Sequence, residues 1–260
     1  MEPYATADQV WAGGLIFARV GALLLTMPGI GESYVPPRIR LALALLMSLV
    51  LWPLVAGSLP PLPSTVGGTA GWIIREVATG LMIGAMLRIF TSALSTAGEI
   101  VSLQTTLSFA QTANPLSGQQ NTTVASFLML FGTVLVFATN THHLFIAGIV
   151  GSYELIAPAK PLIVADFAQM AVRTVGDSFM LGIQLAAPVI VFALIFNLAS
   201  GLVARVMPQF QVYFAAAPLS VILGLSIFAL SLGVLGTVFI DRFRALASVF
   251  AAGAGGVVGG

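Results

Sequence analysis

Four groups of residues in this chain have types and spacings that could do chemistry. His142 and His143 stand side by side after the stretch ATNT. Arg19 lies inside an apolar run, and Glu99 lies in the stretch STAGEIVSLQ. Ser92, Ser95, Glu99, Ser102 and Thr106 recur at spacings of three and four. Arg205, Met207, Pro208, Gln209 and Gln211 interrupt two long apolar stretches. Imidazoles bind metals or move protons, but ligands on one helix face need spacings of three or four. Adjacent side chains diverge, and no Cys, Asp or Glu is near the pair in sequence. His142 and His143 therefore read as helix-end or interfacial residues. There is no H-E-x-x-H, no G-x-S-x-G and no Gly-rich phosphate loop, so hydrolase and nucleotide chemistry lack a candidate constellation. The expectation is no catalytic residue, no metal and no cofactor, and a chain that is not an enzyme.

A charge inside an apolar run is a functional suspect by default, because an ionised group in hydrocarbon is costly. A proton or ion relay needs several such groups in line, and Arg19 and Glu99 have no obvious second member in the sequence. The structural role is the expected one: each pairs with a partner helix or snorkels to a rim. The series Ser92, Ser95, Glu99, Ser102 and Thr106 places a narrow polar stripe on one helix face, with Leu94, Ala97, Val101 and Ala110 off it. Such a stripe either lines a wet cavity or bonds neighbouring helices. Small hydroxyl residues permit close helix packing, which puts packing slightly ahead, and the two are compatible in an assembly. Gly80 and Gly84 form a G-x-x-x-G pattern, a weak marker of close helix contact.

The elements that must position these groups follow from composition. Of 260 residues, 58% are hydrophobic and only 7% charged, against about 25% charged in an ordinary soluble domain. Mean hydropathy is +1.03. So few charges do not cover a water-facing surface, so the class is integral membrane protein or lipid-like assembly. The net charge of +1 supplies no basic field for nucleic acid. The absence of cysteine excludes a disulfide framework and thiolate chemistry. No Lys or Arg precedes the first apolar run, which argues against a cleaved secretory signal.

Six apolar segments run approximately over 10–31, 39–57, 71–90, 123–150, 178–204 and 211–240. They are continuous rather than alternating, so the expected fold class is all-α, with about six long membrane-type helices in hairpins. The third segment is the weakest, since Arg75, Glu76 and Arg88 leave only 77–87 uncharged. The last two are longer than a bilayer needs, and Pro188 and Pro218 should bend them. Residues 151–177 carry five charges and read as a surface loop with a short amphipathic helix. With the N-terminus outside, Arg38, Arg40, Arg88 and Arg205 would lie inside, against Lys160, Arg173, Arg242 and Arg244 outside. That four-to-four balance speaks against a set of ordinary crossings. A single helical domain over 1–250 is expected, with 251–260, Gly/Ala-rich, as a disordered tail.

Residues 178–204 and 206–240 contain no charge, and Arg205 stands between them. A cation at the end of a helix complements its dipole. Pro208 disfavours helical geometry at Met207, and Gln209 and Gln211 can bond freed backbone groups. The stretch reads as the tip of an antiparallel hairpin.

That tip carries a resemblance. NLASGLVARVMPQFQVYFAAAPLS is similar to the signature of the FliR family of flagellar export-gate proteins and its virulence type III counterpart. Arg205, Pro208, Gln209, Val212 and Pro218 match. Gln211 stands where Asn is usual, Tyr213 where Phe is usual and Ala216 where Gly is usual. FARVGALLLTMPGIGESYVPPRIRLALAL resembles the family's first hairpin through Arg19, Pro28, Gly31, Pro36, Arg38 and Arg40. GEIVSLQTTLSFAQTANP resembles its central segment through Gly98, Glu99, Gln104, Ala110 and Pro115, with Asn114 where Asp is commoner. The resemblance spans residues 10–240 in order.

The resemblance implies a core subunit of the flagellar type III export gate. One such chain stands among several FliP-like and FliQ-like subunits, with an FlhB-like subunit docked against them. The gate passes unfolded export substrates through the bacterial inner membrane at the flagellar basal body. In such an assembly the helices pack as hairpins raised largely out of the bilayer plane, which would account for the overlong helices. Arg205, Met207, Pro208, Gln209 and Gln211 would then form a contact or constriction element. The competing reading is a polytopic inner-membrane small-solute transporter. It would show an internal repeat and paired broken helices, and no convincing repeat links 10–90 to 123–240.

Overall fold

The computed structural model describes residues 6–108, 122–158, 164–207 and 212–251. Every regular element among them is helical: α1 Ala7–Thr26, α2 Pro37–Val55 with a 3₁₀ turn Ala56–Ser58, α3 Val66–Gln104, α4 Thr123–Ala138, α5 His142–Leu155, α6 Val164–Val206 and α7 Val212–Ala251. By length and composition, α1, α2, α3, α6 and α7 are apolar enough to cross a membrane, and α4 with α5 forms a sixth candidate bent by 78°.

Local chemistry sets the ends. Thr6 and Gln9 form a capping box at α1: the Gln9 N–H donates to Thr6 Oγ1 at 3.3 Å, and the Thr6 N–H donates to Gln9 Oε1 at 2.9 Å. Pro36 and Pro37 open α2, where a missing N–H costs nothing. The break between α4 and α5 turns on Asn140, at φ 55°, a left-handed conformation that Asn tolerates better than most residues.

Three sequence expectations are corrected. The weak third segment and the polar segment after it form one 39-residue helix, α3. Arg75, Glu76 and Arg88 do not interrupt it, because a helix satisfies its own backbone whatever its side chains carry. Residues 151–177 are not a loop with a separate short helix: α5 runs to Leu155 and α6 begins at Val164, with Asp166 in its first turn. The last apolar run does not stop at residue 240 but continues as helix past Asp241, Arg242 and Arg244 to Ala251. Pro188 and Pro218 both lie inside continuous helices.

The chain divides into two compact units. The first comprises residues 1–90, 137–174 and 243–260. Its core holds Leu15, Ile16, Leu23, Ile83 and Ile149. The Phe243 ring centroid lies 5.2 Å from that of Phe145 and 5.9 Å from that of Phe90. The second unit comprises residues 91–136 and 175–242 and buries Ala93, Leu94, Ala97, Leu128, Leu185, Val189 and Phe239. In it, α6 and α7 fold back on each other. Only residues 207–211 connect them, and Gly224 of α7 lies beside Phe192 of α6.

Candidate functional site

The first unit is organised around Arg19, which is fully buried in the middle of α1. Its Nε–H donates to Glu76 Oε2 at 2.6 Å and its Nη2 to Glu76 Oε1 at 3.1 Å, a bidentate pair with both side chains at 0% exposure. Nη1 donates to the Ser152 carbonyl at 3.0 Å and to Ser152 Oγ at 3.3 Å. Nη2 also donates to the Ile156 carbonyl at 3.2 Å. A guanidinium has five N–H groups, and each has an acceptor here. The Tyr153 ring packs 3.9 Å from Arg19 Cζ, adding a cation–π contact.

Three helices supply this cluster, and each brings a different charge. α1 brings the cation and α3 the carboxylate. α5 brings the negative end of its backbone: the Ser152 carbonyl, which also accepts from the Ile156 N–H, and the carbonyl of Ile156 at the C-cap. Arg75, on α3, reinforces the same helix end by donating to the Ala157 carbonyl at 3.1 Å. An isolated buried charge costs several kcal/mol, and this arrangement leaves neither member isolated.

Close approach of α1 and α3 makes the pairing possible. A Cβ at Gly80 would strike the Arg19 carbonyl and Ala22, and one at Gly84 would strike Thr26 and the Leu23 carbonyl. The G-x-x-x-G pattern is thus the contact face of α3 toward α1. Glu76 is one turn before Gly80 on the same face. The sequence reading found Arg19 but gave it no partner within the chain, and the structure supplies one. The signal was the spacing 76, 80, 84, a carboxylate in register with two contact glycines.

The polar stripe lies in the second unit and does not hold together as one face. Ser92, Ser95, Glu99 and Ser102 are on α3, but Thr106 is beyond its end, in a turn at φ 59°. Ser92 Oγ faces Ser178 Oγ on α6 at 3.4 Å, and Ser95 Oγ donates to the Ser92 carbonyl at 2.8 Å. Ser102 is fully buried, and its hydroxyl has no partner among the described residues. Glu99 is exposed. Beside the stripe, a Cβ at Gly98 would strike the Ala125 backbone of α4.

Of the hairpin tip, Arg205 stands in the last turn of α6 and Met207 is 54% exposed. Pro208, Gln209 and Gln211 lie outside the described residues, as do the central segment around Ala110 and Pro115 and the tail after residue 251. His142 and His143 open α5 with ring centroids 4.3 Å apart. No group of three or more His, Cys, Asp or Glu side chains able to hold a metal occurs among the described residues.

Residues 10–246 match the family model described as bacterial export proteins, family 1. The chain is 57% identical over 250 residues to the flagellar biosynthetic protein FliR of Caulobacter vibrioides, covering 96% of this chain and all of that one. It is 30% identical over 214 residues to FliR of Escherichia coli, covering 81% and 80%. It is 29% identical over 236 residues to FliR of Aquifex aeolicus, covering 91% of each.

Proposed function

We propose that this chain, which belongs to the bacterial export proteins, family 1, and is a membrane-embedded subunit of the flagellar export apparatus, acts as a core subunit of the export gate. In this reading it combines with FliP-like and FliQ-like subunits, receives an FlhB-like subunit, and helps to form the inner-membrane channel through which unfolded flagellar subunits leave the basal body. The chain works there by packing, with no catalytic step of its own.

The observation that carries the reading is the apolar surface of α6. Large hydrophobic side chains are exposed from Val175 to Val206, including Leu194 at 72%, Leu198 at 68% and Val206 at 81%. Those 31 residue steps correspond to about 46 Å of helix, against about 30 Å of hydrocarbon in a bilayer. Lipid alone does not cover such a length without strong tilt. Helices of other subunits cover it with no such limit. Relatives named for flagellar biosynthesis set the small-solute transporter aside.

The test is expression with and without the FliP-like and FliQ-like subunits, followed by size-exclusion chromatography in mild detergent. The expected outcome is co-elution with both partners, and degradation or aggregation of the chain alone. A stable, monodisperse species of this chain alone, unchanged by the partners, would overturn the reading.

Two finer assignments belong to it. The Arg205–Gln211 tip acts as a contact or constriction element, supported by its polar residues between two uncharged stretches. Glu99 faces other protein or the gate lumen, since a carboxylate against acyl chains costs at least about 2.5 kcal/mol. One secretion assay addresses both. Pro208→Ala and Glu99→Leu should each slow export of flagellar subunits while the variant chain still co-purifies with its partners. Normal motility and secretion in either variant would remove the corresponding assignment.

A further inference from the structure

We propose that a groove between α1 and α2 holds the upper part of one acyl chain of an anionic phospholipid, with the lipid phosphate on Arg40. The groove has a volume of about 490 Å³. Its walls are apolar, from Phe17, Ala18 and Gly21 on α1 to Leu41 and Ala44 on α2, and Arg40 is the only charged side chain among them. One cation at one end of an apolar trough matches the chemistry of an amphiphile with one anionic head.

The position of Arg40 fits that ligand. It lies in the first turn of α2, a helix long and apolar enough to cross a membrane, which puts the cation at the end of an apolar span, where the head of an amphiphile belongs. Its Nε and Nη2 donate to the Val35 carbonyl at 3.1 and 2.8 Å. That grip fixes the guanidinium and leaves Nη1 without a protein acceptor among the described residues. Arg38, exposed at the same end, adds a second positive charge. No carboxylate among the described residues neutralises the pair: α2 has none, Glu76 is committed to Arg19, and Glu32 lies 4.0 Å from Arg88.

The anionic partner that Arg40 calls for favours an amphiphile over an apolar partner helix. From Leu25 to Phe17 the groove follows about 12 Å of helix. Gly21 opens the groove, since a Cβ added there meets no atom within 4 Å.

The probe is phosphatidylglycerol carrying a photoactivatable group in one acyl chain, reconstituted in vesicles with the purified export complex. Phosphatidylcholine with the same group serves as the control. Phosphatidylglycerol should label peptides within residues 17–44 in preference to phosphatidylcholine. Arg40→Gln should reduce the phosphatidylglycerol labelling about fivefold, which corresponds to about 1 kcal/mol for one arginine at an anionic surface, and abolish the preference. Gly21→Leu fills open space in a helix, so it should fold normally, and it should suppress labelling by both lipids. Equal labelling by the two lipids, or labelling unchanged in Gly21→Leu, would overturn the proposal. So would recovery of a neighbouring subunit's helix, rather than lipid, cross-linked at this groove.

Discussion

The two compact units of this chain are held by different physics. The first contains a fully buried ion pair, Arg19 with Glu76, anchored to the carbonyl end of a third helix. The second buries Thr91, Ser102, Thr105, Ser178 and Ser220 but no charged side chain among the described residues. Its helices meet where side chains are smallest, at Gly98 against Ala125, Gly182 against Ala93 and Thr96, and Gly224 against Thr105. In an apolar chain the hydrophobic effect does little to choose between helix registers, because lipid tails are as apolar as leucine. An ion pair with five directed hydrogen bonds fixes orientation. A seam of glycine and hydroxyl residues fixes the distance of approach and leaves direction to weaker contacts.

The comparison is broken most directly at Glu76. Glu76→Ala strands the Arg19 guanidinium in the core, and removing one partner of a buried pair costs about 3–5 kcal/mol. Denaturation in mixed micelles should register that loss, while the double variant Arg19→Met with Glu76→Leu should recover most of it. A single variant within about 1 kcal/mol of the parent would show that the first unit does not depend on its charges.

The second unit is broken by bulk instead of charge. Gly98→Ala drives a methyl group into the backbone of α4, and overpacking of this kind costs about 1–3 kcal/mol. Gly233→Ala, in the same unit, meets nothing within 4 Å and should be neutral or slightly stabilising. Equal effects of the two substitutions in the same denaturation assay would remove close approach as the principle of this unit.

The smallest effect sharpens the contrast. Ser178→Ala deletes the 3.4 Å contact with Ser92, and hydrogen bonds between membrane helices average about 0.6 kcal/mol. The loss should therefore stay below about 1 kcal/mol and spare co-purification with partner subunits. A loss as large as that of Glu76→Ala would place the second unit under polar control as well.

Much of this was legible before the structure. Continuous apolar runs announce helices, and three ordered motifs point to the family that the comparisons bear out. Element boundaries were less legible where charge was taken as interruption. Arg75 and Glu76 made the third segment look weak, yet both have partners within the first unit, Glu76 in Arg19 and Arg75 in the Ala157 carbonyl. Likewise Asp166, Arg173 and Asp177 suggested a loop, yet they occupy the opening turns of α6, because exposed charges are compatible with a helix.

By itself the sequence determined the class of the chain, its helices and its family, because hydropathy and motif order are local properties of neighbouring residues. It also placed Arg19 within an apolar helix, and it carries Glu76 one turn before Gly80 and Gly84, a register that the reading of the sequence did not use. Only the tertiary structure decided that these two residues meet. They are 57 positions apart, and their contact depends on α1 and α3 packing backbone to backbone, with the end of α5 closing over them. A stripe drawn from spacing alone ends differently as well: Ser92 and Ser102 are turned toward protein, Glu99 is exposed, and Thr106 leaves the helix. Periodicity assigns a residue to a face. What covers that face is a property of the neighbouring helices, and helices brought together from distant parts of the chain leave no local signature of the meeting.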